Sequence, residues 1–295
     1  MMKNILKYTW TLLLAVALSS CEKPITEDDP NEKPLKCNLT YTISRYETMP
    51  LMATAGGAES TPIAEVANRI NLAAYDDDGN KVKAINQTAD DEDFGTLTMT
   101  LEEGHYTIVI LAHSCTGNAT MSNPNKITFP NNKVTDTFYF VDEVTIGGDS
   151  QSREAEMRRG VAQFRLQTTD PVPENVAQMK FYYTGGSSTF DAISGYGCID
   201  SRQTELRTVD ANMHGKTGSF SVYTFPHAEK GELHMTVTAL DAQQRDVASR
   251  EFTNVPIARN QATIYSGAFF DDEQFAKESL TLTTNEVWQE VVHNF

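Results

Sequence analysis

A chain of 295 residues with 40% hydrophobic content is long enough to bury two cores of ordinary domain size. Its 40 acidic residues against 24 basic ones give a formal net charge of −16, which repels phosphate-rich partners and excludes nucleic acid. The four cysteines, at 21, 37, 115 and 198, are too few and too scattered to serve as a disulfide framework.

The N-terminus opens with Lys3 and Lys7, continues through an uncharged run from Tyr8 to Leu18, and ends in Leu18-Ser19-Ser20-Cys21. An apolar run of 11 residues is far short of the roughly 20 needed to span a bilayer as a helix. It reads instead as a secretory signal peptide over residues 1–20. The small residues before Cys21 resemble the lipobox of bacterial lipoproteins, in which the cysteine sulfur is acylated and becomes the first mature residue. The alternative is ordinary secretion with Cys21 left as a thiol. Fatty chains such as palmitate, at about 0.8 kcal/mol per buried methylene, would tether a water-soluble body to a membrane. Removal of the signal leaves 22 basic against 40 acidic residues, a net charge of −18. It also leaves Cys37, Cys115 and Cys198, an odd number. A Cys37–Cys115 bridge is one option that spacing alone does not decide.

Residues 21–36 form a linker in which Pro24, Pro30 and Pro34 are spaced among acids. With almost nothing apolar to bury, the segment is expected to stay extended at about 3.1 Å per residue. Glu22, Glu27, Asp28 and Asp29 also resemble the acidic signal that directs lipoproteins of Bacteroidetes to the cell surface.

From Leu39 onward the dominant period is two. Leu39, Tyr41 and Ile43 alternate with hydroxyl residues, as do Leu97, Met99 and Leu101, which predicts half-buried strands. Asp78-Gly79 sits between two such runs and predicts a hairpin turn. The acids Asp76–Asp78 do not form an EF-hand calcium loop, because Ile85 stands where the glutamate six residues past the glycine belongs. Gly104 opens a strand through Leu111 that is apolar on both faces, and Val134–Val141 closes the first half. The polar run Gly147–Ser152 marks a boundary, giving domains over 37–148 and 149–295.

In the second half, Ala162/Phe164/Leu166, Met179/Phe181/Tyr183, Phe220/Val222 and Leu233/Met235/Val237/Ala239 repeat the alternation. Thr184–Thr204 reads as an irregular insertion. The halves echo each other: Gly104 and Gly231 open similar strands, and Asn132-Lys133-Val134-Thr135 matches Asn260-Gln261-Ala262-Thr263, at offsets of 127 and 128 residues. The tail from Leu280 to Phe295 reads as strand at Leu280 and Leu282, while Val287, Gln289 and Val291 continue the alternation past Trp288.

Cys37-Asn38-Leu39-Thr40-Tyr41, Arg69-Ile70-Asn71-Leu72 with Asp78-Gly79, Leu101 with Gly104-His105-Tyr106, Arg159-Gly160-Val161-Ala162, and Val255-Pro256 with Arg259-Asn260 occur in one order. In that order the chain resembles the type V fimbrium subunit family of Bacteroidetes, which includes FimB-like anchor lipoproteins. One departure is Leu111-Ala112-His113-Ser114, where anchor-like members carry a tryptophan and a glycine. The resemblance implies an all-β fold of two transthyretin-like β-sandwich domains in tandem, lipidation at Cys21, and a surface-exposed place at the outer membrane. It implies pilin subunits as partners, joined by strand donation, and no cofactor. An anchor subunit would keep its lipid. A shaft or tip subunit would be cut after a basic residue near the first strand, with Arg45 the first candidate and Arg69 the second. The alternative role is a tip adhesin or a surface lipoprotein that binds carbohydrate or protein, with Tyr196 and Phe190 in the long loop as candidate sugar contacts.

Motif-bearing enzyme classes find no support: the chain lacks Gly-x-Ser-x-Gly, His-Glu-x-x-His, a phosphate-binding glycine loop and Cys-x-x-Cys. Its six histidines are scattered, and His105 and His113 lie eight residues apart on one strand, so no metal site is expected.

Overall fold

The computed structural model describes residues 35–47 and 62–271, together with the backbone of 281–286 and 289–293. Among these residues there is no α-helix, and the expected all-β class is borne out. The strands of the first half are β1 (Lys36–Tyr46), β2 (Arg69–Tyr75), β3 (Lys81–Thr88), β4 (Thr96–Glu102), β5 (Gly104–His113), β6 (Ile127–Thr128), β7 (Thr137–Ile146) and β8 (Gln151–Arg159). Seven of them lie in one sheet of order β3-β2-β5-β7-β8-β1-β4 that folds over on itself. Leu39, Tyr41, Leu72, Met99, Ile110, Phe138 and Met157 face one another across it as a buried core. The polar Gly147–Ser152 stretch holds the β7–β8 turn, and β8 still belongs to the first lobe, because Ala155 and Met157 face that core.

The second half contributes β9 (Ala162–Thr168), β10 (Gln178–Gly186), β11 (Thr189–Asp191), β12 (Tyr196–Gly197), β13 (Ser201–Thr208), β14 (Ser219–Thr224), β15 (Lys230–Leu240), β16 (Asp246–Ala258), β17 (Ala262–Gly267), β18 (Thr281–Glu286) and β19 (Gln289–His293). Sheets of order β13-β10-β15-β16 and β14-β9-β17-β18-β19 pack face to face over a core that includes Phe164, Phe181, Met235 and Phe252.

The two lobes repeat one topology. In each, a four-stranded sheet (β3-β2-β5-β7; β13-β10-β15-β16) faces a strand that pairs antiparallel on one side and parallel on the other (β4-β1-β8; β14-β9-β17). Gly104 and Gly231 fall on the equivalent strands β5 and β15. The second sequence echo does not correspond, since 132–135 precedes β7 whereas 260–263 enters β17.

A third apolar cluster joins the lobes. The stretch 184–204, read from sequence as an irregular insertion, carries β11, which pairs with β6 of the first lobe. Phe225 stacks on Phe190 at 4.7 Å and on Phe129 at 5.5 Å, and Tyr139 meets Phe190 edge-on at 5.0 Å. Beside this stack the buried Arg159 guanidinium donates to both carboxylate oxygens of Asp136 (2.7 and 3.0 Å) and to Asn260 Oδ1 (2.8 Å), and lies over the Phe138 ring. Such a charge is tolerated inside only because its donors are matched. In the second lobe the buried Asp170 carboxylate accepts the main-chain N–H groups of Phe269, Phe270 and Asp271 at 2.6–2.9 Å, fixing the chain beyond β17.

Cys37 and Cys115 are both free thiols: Cys37 donates to Gly147 O (2.8 Å) and Cys115 to Lys133 O (3.4 Å). His113 is wholly buried, with Nε2 donating to Asn71 Oδ1 (2.8 Å) and Nδ1 accepting from the Cys115 N–H. Burial, and then the nearby Arg69 charge, hold its pKa down at about 4. Between that value and the ordinary 6.5 the unfolded chain binds the extra proton, so stability falls as pH drops through this window. The loss should reach about 3 kcal/mol by pH 4. Urea denaturation at pH 7, 6, 5 and 4 should show this slope, and His113→Gln should flatten it; equal slopes in the two proteins would refute the assignment.

Candidate functional site: the first strand and the cleft beside it

β1 lies inside its sheet, with β4 on one side and β8 on the other. Its odd residues Cys37, Leu39 and Tyr41 enter the core, and the Tyr41 hydroxyl donates to Asp142 Oδ2 at 2.6 Å. Strict alternation would turn Arg45 inward as well. Instead the pairing with β8 slips between Ile43 and Arg45, a bulge that takes in Ser44. The phase reverses beyond it: Tyr46 packs edge-on against Phe138 at 5.1 Å, and the Arg45 side chain, 67% exposed, forms an ion pair with Glu156. Sequence reasoning missed the bulge because nothing in Ile43-Ser44-Arg45 breaks the period.

Arg45 opens onto a cleft of about 800 Å³. Its lining includes Glu47, Tyr139, Val141, Glu154, Glu156 and Arg158 from the first lobe, and the Ala192–Ser194 turn of the second forms one wall. That turn is held tight by geometry: Gly195 has φ +79°, and a Cβ there would stand 2.3 Å from the Tyr139 hydroxyl. Ile193 at the turn is exposed.

The other predicted site residues are not gathered here. Cys21 lies outside the described residues. Arg69 begins β2 and is tied to the loop after β5, donating to Cys115 O (3.1 Å), Asn118 Oδ1 (3.2 Å) and Thr116 O (3.4 Å). Tyr196 is half-buried on β12, where it pairs with Asp191 at the base of the turn that forms the cleft wall, but it is not part of the lining. Phe190 has no accessible surface, so its ring has no face to offer a sugar; it is packed beneath the loop as the centre of the joint between the lobes. His105 sits apart from His113, paired with Asp77 at 2.6 Å.

Phe190→Ala should therefore act on folding, lowering stability by about 3–5 kcal/mol through the cavity it leaves. A urea midpoint unchanged from the parent chain would contradict the packing described.

Comparison with known proteins places this architecture. A candidate polysaccharide-binding protein (DUF1812) from Bacteroides thetaiotaomicron shares the fold, with a TM-score of 0.51 at 12% identity over 88% of this chain and 98% of that one. The fimbrial anchor protein Mfa2 from Porphyromonas gingivalis aligns at TM-score 0.42 and 13% identity, covering 78% and 90% of the two chains. A fimbrial assembly protein from Parabacteroides distasonis aligns at TM-score 0.43 and 10% identity, covering 89% and 99%. No curated protein sequence matches the chain. Residues 30–288 match the model of a family of unknown function, DUF6562, and the chain belongs to that family.

Proposed function

We propose that the protein is a structural lipoprotein of the cell surface that anchors a fimbria to the outer membrane through lipid on Cys21. The observation that carries this reading is the place of β1. The segment that follows the lipobox and the proline-rich linker runs into a strand hydrogen-bonded on both sides, with Leu39 and Tyr41 wholly buried. Pulling on such a tether loads a strand paired with β4 over Lys36–Thr42 and with β8 over Leu39–Tyr46, which suits an anchor under tension. Loss of the same strand would expose two rows of main-chain donors and acceptors and an apolar slot, the arrangement in which a strand from another subunit binds. Retention or removal of β1 thus separates an anchor from a polymerising subunit. The side chain of Arg45 is open to a protease, whereas Arg69 is tied down by three acceptors.

Intact-mass and N-terminal analysis of the protein recovered from purified fimbriae tests the proposal. The expected species begins at an acylated Cys21. A mature start at Tyr46 or Ile70 would make it a shaft or tip subunit, and an unmodified Cys21 would remove the membrane tether.

A further inference from the structure

The internal repeat exposes a difference between the lobes. In the second lobe, β17 pairs parallel with β9, and its other edge is filled by β18, antiparallel, from Ala262↔Asn285 to Ser266↔Thr281. The equivalent strand of the first lobe is β8, parallel to β1. Its other edge meets β7 only at Phe138↔Arg159 and Tyr139↔Arg158. Beyond that pair β7 and β8 diverge, and the next links are made by side chains, Arg153 to Asp142 (2.8 Å) and Gln151 to Thr145 O (2.7 Å).

The main-chain directions across this seam follow from the hydrogen bonds at its ends. Thr137 O accepts from Gly160 N, and Thr145 O accepts from Gln151, so the odd residues of β7, Val141 among them, turn their N–H and C=O toward β8. Met157 O serves the β1 side, so the even residues of β8, Glu154 and Glu156, turn theirs toward β7. Both lips therefore carry main-chain groups outside any ladder, and the cleft described above lies over them, with Phe140 and Met157 also in its lining. Glu154 is exposed and makes no ion pair with a described residue, while Glu156 is paired with Arg45.

We propose that the β7–β8 seam binds a short extended segment of a partner polypeptide as a strand antiparallel to β8, in the place β18 takes in the second lobe. The segment presents apolar side chains inward at alternate positions and a basic side chain outward against Glu154. The inference rests on the strand-addition reading of the previous section and adds a second acceptor edge, one that is available while β1 stays in place.

The probe is the peptide acetyl-Thr-Val-Lys-Val-Thr-amide, titrated into the full chain while amide exchange is followed over residues 140–143 and 154–157. Saturable binding with slowed exchange in both segments is the expected result. Replacing the peptide's lysine with glutamate should weaken binding about two- to five-fold, and Glu154→Lys, a change at an exposed site, should reverse that preference. N-methylation of the peptide nitrogens should abolish binding. The inference is overturned by equal binding of the N-methylated peptide, by an unchanged preference in Glu154→Lys, or by no binding at millimolar peptide. The titration needs neither lipid nor fibre, so its failure would leave the anchor reading standing, and an unacylated Cys21 would leave the seam standing.

Discussion

The joint between the lobes is the constraint on which the other features depend. Each sandwich could close its own core, yet Phe190 leaves the second lobe to stack on Phe225 against Phe129 and Tyr139. Aromatic burial of this size is worth several kcal/mol, enough to hold two domains in one orientation. Arg159 makes the joint directional, because its five donors have to find Asp136 on one side and Asn260 on the other. Lys133 extends the lock by meeting Glu205, a buried carboxylate also paired with Arg207. The cleft has a fixed wall because the hairpin that bears Ile193 is the same hairpin that carries Phe190 into the joint.

Strand-rich chains risk pairing edge to edge, and the management of edges here is specific. The sheet of the first lobe curls until its terminal strands β3 and β4 approach, where Lys83 donates to Thr100 O and Gln87 to Thr96 O, so side chains occupy acceptors that a foreign strand would need. In the second lobe Arg207 on β13 does the same to Ser221 O on β14. β16 is interrupted by Pro256 and by Asn254 at φ 54°, features that blunt an edge.

Much of this architecture was legible in the sequence, because period two is a local property. Leu39 and Tyr41, Leu97, Met99 and Leu101, Met179, Phe181 and Tyr183, and Leu233, Met235 and Val237 are all buried as their alternation predicts. The hairpin at Asp78-Gly79 was equally readable, since Gly79 adopts φ 77° and only glycine does so at no steric cost. What stayed hidden depends on partners far along the chain. The bulge at Ser44 follows from the register of β1 against β8, more than 100 residues away. The stretch 184–204 has no single period because its partners change along it: Thr189 and Phe190 are placed by Thr128 and Ile127 of the other lobe and Gly195 by Tyr139, whereas Ser187 pairs with Phe225 and Gly186 with Ser201 inside the second lobe. The Phe190 ring therefore looked like a loop residue open to a ligand, although it is wholly buried in the joint.

The same dependence explains why the seam was invisible. Read alone, Ser152-Arg153-Glu154-Ala155-Glu156-Met157 is a strand with charged residues outward, fit for a solvated face. Only the comparison of β8 with β17 shows that one edge of this strand lacks the neighbour its counterpart has. A duplicated fold supplies its own control in this way, since an edge that one copy fills and the other leaves open marks the place where the two copies were put to different use. Closing the seam from within would have needed only a longer β7–β8 ladder. Instead the strands part after two residue pairs, and Arg153 and Gln151 bridge the gap with side chains that can swing away at little cost. Main-chain ladders hold a core shut; long polar side chains across a gap hold it shut until something with better hydrogen-bonding geometry arrives.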